Sequence, residues 1–156
     1  MAPRRSIAVI GGSAASDAVA RLAFATGQAI AQRDAALVCG GMGGVMEAAA
    51  RGARTAGGVT IGILPGYDRA AANPHIEIAV ATGMGHARNL IVVASADAVI
   101  ALPGETGTLS EIALALTIRR PVVALGGWRD IAGVTIAESP IDAVAIALDA
   151  IAARGS

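Results

Sequence analysis

The sequence predicts an α/β protein, a single Rossmann-like domain over residues 1–156 with a mostly parallel sheet sandwiched between helices. Three observations predict it. Short apolar runs alternate with amphipathic stretches along the whole chain, the pattern of crossover units that lay successive strands parallel. Apolar residues make up 54% of the chain and aromatics only 2%, so the core has to be built from Ala, Val, Ile and Leu. Several apolar runs end in glycine-rich loops directly before a helix, which leaves free backbone N–H groups where strands end. The length suits one domain with a real core, and no linker or repeat interrupts it.

Each element has its own reason. Residues 6–10 read as the first strand, ended by Gly11-Gly12. Ser13 or Ser16 caps the next helix, with Asp17 in its first turn. Val19, Leu22, Ala23, Thr26 and Ile30 recur there at helical spacing, and the helix ends near Arg33-Asp34. Residues 36–39 form the second strand. Gly40-Gly41-Met42-Gly43-Gly44 is the densest glycine cluster, and a helix starts directly after it. Val45, Met46, Ala49, Ala50 and Ala53 are its apolar stripe, Glu47 lies early in it, and Gly57-Gly58 closes it.

Residues 59–64 form a third strand, stopped by Pro65-Gly66. Residues 67–74 are small, polar and turn-rich, an exposed loop, and 76–80 a weak strand. Thr82-Gly83-Met84-Gly85-His86-Ala87-Arg88-Asn89 leads into a helix carrying Leu90, Ile91, Val93 and Ala94. Residues 98–102 are a continuous apolar run, a strand buried on both faces. Its helix starts abruptly near Thr108 and runs to about Ile118. Residues 121–125 are another strand, Gly126-Gly127-Trp128-Arg129-Asp130 a loop, and 133–137 a short last strand. Ser139-Pro140-Ile141-Asp142 opens the final helix, with Ser as cap, Pro at the first position and an acid in the first turn. Val144, Ala145, Leu148 and Ile151 are its buried face.

Composition excludes several function classes. The formal net charge is zero, and no basic run is interleaved with aromatics, so nucleic acid is not an expected partner. Cys39 is the single cysteine, which rules out an intramolecular disulfide and fits a small buried residue. The apolar run after Arg4 and Arg5 stops at Gly11, too short for a signal peptide or a membrane span. A cytoplasmic protein without a membrane partner is expected. A charged share of only 15% leaves a partly apolar surface, which favours a homo-oligomer.

In a parallel sheet, ligands bind outside the carboxyl ends of the strands, near the switch in strand order. The loops at Gly11-Gly12, Gly40-Gly41-Met42-Gly43-Gly44 and 103–108 all follow strands and should converge there. Gly12, Ser13, Gly41, Gly43, Gly44, Gly104, Thr106, Gly107 and Thr108 are therefore the candidate phosphate-binding positions. There is no GxGxxG after the first strand and no P-loop lysine.

Arg88 is the cation candidate. It opens a helix, where a positive side chain opposes the helix dipole, so its presence suggests an anionic partner. The competing reading is a surface arginine paired with Asp97 or Glu111. For Glu111 two readings also stand: a group facing the ligand, or the far end of a capping box begun by Thr108. His75 and His86 lack metal-ligand neighbours, so no metal site is expected, and His86 reads as structural. Glu47 reads as a helix-start acid. Trp128 and Tyr67 either stack on a ligand ring or cover a core edge.

Four motifs in order, Gly40-Gly41-Met42-Gly43-Gly44-Val45-Met46-Glu47, Gly62-Ile63-Leu64-Pro65-Gly66, the run from Thr82 to Asn89, and Pro103-Gly104-Glu105-Thr106-Gly107-Thr108-Leu109-Ser110-Glu111, span nearly the whole chain. They resemble the LOG-like (lysine decarboxylase-like, SLOG) Rossmann superfamily, most of all its small bacterial branch that includes the molybdenum cofactor carrier proteins. The phosphoribohydrolase branch is a more distant likeness. There the last motif is PGGxGTxxE, whose Glu works with an upstream Arg on a nucleoside 5′-monophosphate, releasing base and ribose 5-phosphate. By motif position these correspond to Glu111 and Arg88, the catalytic pair if the chain is a hydrolase.

Two departures stand out: Glu105 replaces the second glycine of that motif, and Asn89 stands where the hydrolases usually carry Lys. An extra acid and a missing cation both favour binding over hydrolysis. The resemblance thus implies a protein that binds a small phosphorylated nucleotide or pterin, with the molybdenum cofactor (molybdopterin) as its bound ligand and no cofactor of its own. It also implies a dimer or tetramer. Nucleotide phosphoribohydrolase, and a structural homo-oligomer with a vestigial crevice, are the alternatives.

Overall fold

The structure is a computed structural model that describes residues 4–155. Seven strands, β1 (Ser6–Ile10), β2 (Ala36–Cys39), β3 (Thr60–Leu64), β4 (Ile78–Ala81), β5 (Ala98–Ala101), β6 (Val122–Leu125) and β7 (Thr135–Ala137), form one sheet in the order β4-β3-β2-β1-β5-β6-β7. Every pairing is parallel. Five α-helices accompany it: α1 (Asp17–Gln32), α2 (Val45–Thr55), α3 (Arg88–Ala94), α4 (Thr106–Thr117) and α5 (Pro140–Arg154). The Rossmann-like α/β architecture is thus as expected.

Because side chains alternate along a strand, each central strand feeds two cores. Ile7 and Val9 of β1 face one layer, where α1, α2 and α5 supply Ile30, Val45, Ala49, Val144 and Leu148. Ala8 and Ile10 face the other, where α3 and α4 supply Val92, Val93, Ile112 and Ala115. The small alanines let the helices approach closely, which is how a core nearly free of aromatics closes.

Sequence order runs outward from β1 to β4 on one side and from β5 to β7 on the other. The switch point is the gap between the carboxyl ends of β1 and β5, whose register pairs Ile10 with Ala101. Helix caps agree with the sequence. Ser16 accepts from Val19 N at 3.2 Å at the start of α1, and Ser139 accepts from Asp142 N at 3.1 Å at the start of α5, with Pro140 behind it.

Several assignments differ: β3 begins at Thr60, β5 ends at Ala101, β6 begins at Val122 and β7 at Thr135, and three others differ for a local reason. β4 begins at Ile78, because Glu77 N is taken by the carbonyl and hydroxyl oxygens of Thr60 and Ile76 N by Asn73 O. The 67–74 segment is not wholly an exposed loop. It holds a 3-10 turn at Arg69–Ala71, and Asn73 is buried because its Nδ2 donates to Met42 O and its backbone N to Gly41 O. Helix α4 starts at Thr106, two residues before the expected Thr108.

Candidate functional site

The loop after β1 is the hub. Gly12 N donates to Pro103 O at 3.0 Å, and Val45 N donates to Gly12 O at 3.0 Å. One residue therefore ties the β1 loop to the β5 loop on one side and to the start of α2 on the other. Glycine is required at two of the junctions. Gly44 has φ +63, and a Cβ there would sit 2.3 Å from Gly12 O; a Cβ on Gly104 would sit 2.1 Å from Thr108 Oγ1 and 2.8 Å from Gly12 N.

Between these loops and α3 opens a crevice of about 520 Å³. Of the expected positions, Gly12, Ser13, Arg88, Gly104, Thr106, Gly107, Thr108 and Glu111 line it. Gly41, Gly43 and Gly44 do not: Gly41 packs against Leu64, and Gly43 and Gly44 back onto Ser13 and Gly12 from behind. They shape the wall without facing the ligand space.

The first hydrogen bond of α4 runs from Leu109 N to Glu105 O, so the N–H groups of Thr106, Gly107 and Thr108 have no partner within the helix. They bear the positive end of the helix dipole at the crevice. Glu105 is the N-cap residue, extended (φ −114, ψ −152), yet its carboxylate makes no capping bond and lines the crevice mouth. Ser16 caps α1, which leaves Ser13 to the crevice wall.

Arg88 lies in the same space. Its Nη1 donates to Asn89 Oδ1 and its Nη2 to Gly40 O at 3.5 Å, while its Nε is buried without a partner. Among the described residues no carboxylate oxygen lies within 4.0 Å of the guanidinium, and Asp97 is engaged elsewhere, its Oδ2 accepting from Ser6 N at 2.8 Å. Arg88 thus makes no close ion pair with Asp97 or Glu111, although its charge acts on the Glu111 carboxyl through space.

The capping-box reading of Thr108 and Glu111 also fails. With Glu105 as N-cap, Thr108 and Glu111 lie inside the helix, and both are buried, 3% and 7% exposed. The Glu111 carboxyl lines the crevice and makes no hydrogen bond with any described residue. Burial pushes its pKa up to about 7, against the opposing pull of the Arg88 charge. Cys39, beneath the crevice, is fully buried, and burial pushes its thiol up to about 12, so it is a packing residue, not a nucleophile.

Neither Trp128 nor Tyr67 lines the crevice. Trp128 covers a core edge, its indole N–H donating to Leu102 O at 2.8 Å. Tyr67 is 89% exposed, with its ring against Gly83. His86 does line the crevice, as do Met46 and Asn89, neither of which was marked as a ligand-facing position. Asn89 carried a signal in the sequence, a polar residue beside the candidate cation; Met46 did not, because its stripe position on α2 reads only as core.

Known proteins share this fold. The model of the SLOG cluster4 family matches residues 4–151. An uncharacterised protein of the archaeon Archaeoglobus fulgidus is 43% identical over 138 residues, 88% of this chain and 91% of its own. The molybdenum cofactor binding protein of the phototrophic bacterium Rippkaea orientalis superposes with a TM-score of 0.90 at 38% identity, covering 96% of this chain and 98% of that one. The molybdenum cofactor carrier protein of Chlamydomonas reinhardtii does so with a TM-score of 0.85 at 33% identity, covering 96% and 99%. With its glycine loops, switch-point crevice and near-complete match, the chain belongs to the SLOG cluster4 family.

Proposed function

We propose that this protein binds a small phosphorylated ligand of the pterin or nucleotide type in the switch-point crevice, and that the molybdenum cofactor is its cargo. The observation that carries the reading is Arg88: a guanidinium with no ion pair within 4.0 Å among the described residues, its Nε buried and unpaired, bordering the same space as the open N-terminus of α4. Such a charge is costly to hold without an anion. Glu111 adds an unpaired carboxyl that donates a hydrogen bond when protonated and accepts from ring N–H or sugar hydroxyl groups when ionised. Likeness to a molybdenum cofactor binding protein and a molybdenum cofactor carrier protein supports the pterin form of the ligand.

The test is mass spectrometry of small molecules released from the purified protein, followed by titration with molybdopterin and with adenosine 5′-monophosphate (AMP). A phosphorylated pterin co-purifying with the native chain and lost in Arg88→Ala is the expected result. A chain that carries no such molecule and binds neither probe overturns the proposal.

One observation favours hydrolysis as a second reading. A carboxyl with a pKa of about 7 in a crevice of nucleotide size suits acid–base work on an N-glycosidic bond near neutral pH. Incubation with nucleoside monophosphates and chromatography of free base decides it: release abolished by Glu111→Ala supports the reading, and no release, or release that survives the substitution, removes it.

A further inference from the structure

The hydrogen bonds that hold Arg88 go to neutral partners, Asn89 and Gly40, while its charge acts through space on the Glu111 carboxyl. Arginine can only donate, so the Asn89 side-chain atom facing it is Oδ1, and the Nδ2 faces away. That Nδ2 donates to Ser110 Oγ at 3.1 Å, and the Ser110 hydroxyl donates to Gly107 O at 2.6 Å. Asn89 is 3% exposed. A chain of hydrogen bonds thus runs from the guanidinium on α3 to the backbone of the first turn of α4, and both ends border the crevice.

An aspartate in the place of Asn89 would hold the guanidinium more strongly, through charge-assisted bonds. It would also cancel the positive charge that an incoming phosphate needs. An amide of the same shape fixes the orientation and leaves the charge intact. We infer that Asn89 is a positioning residue of the anion site: a neutral clamp that aligns the Arg88 guanidinium with the α4 N-terminus without itself pairing its charge. The inference rests on the phosphate-binding reading above and adds that the neutrality of residue 89 sets the preference for anions.

The experiment is calorimetric titration of AMP and of inorganic phosphate into the full chain, wild type and carrying Asn89→Asp, Asn89→Ala or Ser110→Ala, with unfolding temperatures measured in parallel. Asn89→Asp is expected to bind AMP about tenfold or more weakly, and Asn89→Ala about threefold more weakly. Asn89→Asp is nonetheless expected to unfold at or above the temperature of Asn89→Ala, and its AMP affinity to lose most of its salt dependence. A merely structural residue would instead rank the binding losses with the unfolding temperatures.

Wild-type-like AMP binding by Asn89→Asp overturns the clamp. Should that variant not fold, Ser110→Ala, at an exposed position, is expected to weaken AMP about threefold with little change in unfolding temperature. Unchanged affinity there also overturns the clamp. A wild type that binds neither AMP nor inorganic phosphate but does bind molybdopterin moves the same comparison of variants to molybdopterin, where unchanged affinity in Asn89→Asp overturns the clamp; one that binds none of the three overturns the phosphate reading itself, and the clamp with it.

Discussion

The Glu111 carboxyl sits in the fold at the expense of stability. It is 7% exposed and makes no hydrogen bond with any described residue, and burial pushes its pKa from 4.5 up to about 7. That raise corresponds to on the order of 3 kcal/mol against the ionised form. Below pH 4.5 both folded and unfolded chains hold the proton, so there is no penalty; between 4.5 and about 7 only the folded chain holds it, and stability falls as pH rises; above 7 the full penalty applies. Glu111→Gln, which keeps the shape of the protonated form, is therefore expected to be more stable than wild type at pH 8 by a few kcal/mol and equal to it near pH 4, as read by urea denaturation. An equal gap at both pH values would show that Glu111 does not titrate in this range. Glu105 has a different effect. As an exposed, uncapping acid at the crevice mouth it repels an incoming dianion, so Glu105→Gln is expected to tighten AMP by about threefold at low salt and less at high salt, in the same titration. Weaker binding would mean that this carboxylate contacts the ligand.

At the scale of elements, the site depends on backbone junctions more than on side chains. Gly44 joins β2 to α2 in a conformation that only glycine adopts without strain (φ +63, ψ −127), and its Cα abuts the Gly12 carbonyl that receives the Val45 N–H. Gly44→Ala is expected to lower stability by about 2 kcal/mol or more and to weaken AMP binding by displacing the β1 loop, although residue 44 does not line the crevice. Retained AMP affinity in a folded variant would show that the β1 loop is set independently of α2. The same elements show what the sequence made legible. Gly40-Gly41-Met42-Gly43-Gly44 announced a strand-to-helix turn, but not which glycines face a ligand and which face a neighbouring loop, because that depends on Gly12 and Ser13, distant in sequence. The start of α4 was misplaced for a related reason. Thr108 and Glu111 match a capping box in one dimension, whereas the strand end at β5 and the Gly104–Thr108 contact bring the helix in two residues earlier.

At the scale of the molecule, alternation of strands and helices sufficed for the layered fold, and the apolar runs marked the central strands. Neither of them encodes strand order, so the switch between β1 and β5, and the meeting of Arg88 with the α4 N-terminus, become visible only when the chain is folded. What the composition did announce was a surface poor in charge, and the structure localises it. Apart from Arg88 in the crevice and buried Glu111, α3 and α4 carry no charged residue, and Leu90 and Leu109 are 41% and 44% exposed. Ile78 and Val80 of β4 extend that face, because they pair in register with Ile61 and Ile63, which face the α3 and α4 layer. Apolar side chains left exposed on one side of a sheet are a route to association. We propose that a second copy of this chain covers the face, in a closed dimer or a tetramer built from such dimers. Light scattering coupled to size exclusion is expected to give a mass that is a multiple of 15.3 kDa for the wild type and a smaller species for Leu90→Glu with Leu109→Glu. Because both residues lie outside the crevice lining, the double variant separates assembly from ligand capture: if it is smaller yet binds AMP normally, each copy holds a complete site, whereas joint loss places part of the site's rigidity in the partner. A wild type that runs as a single chain at every concentration would overturn the assembly and leave the apolar face without an explanation from self-association.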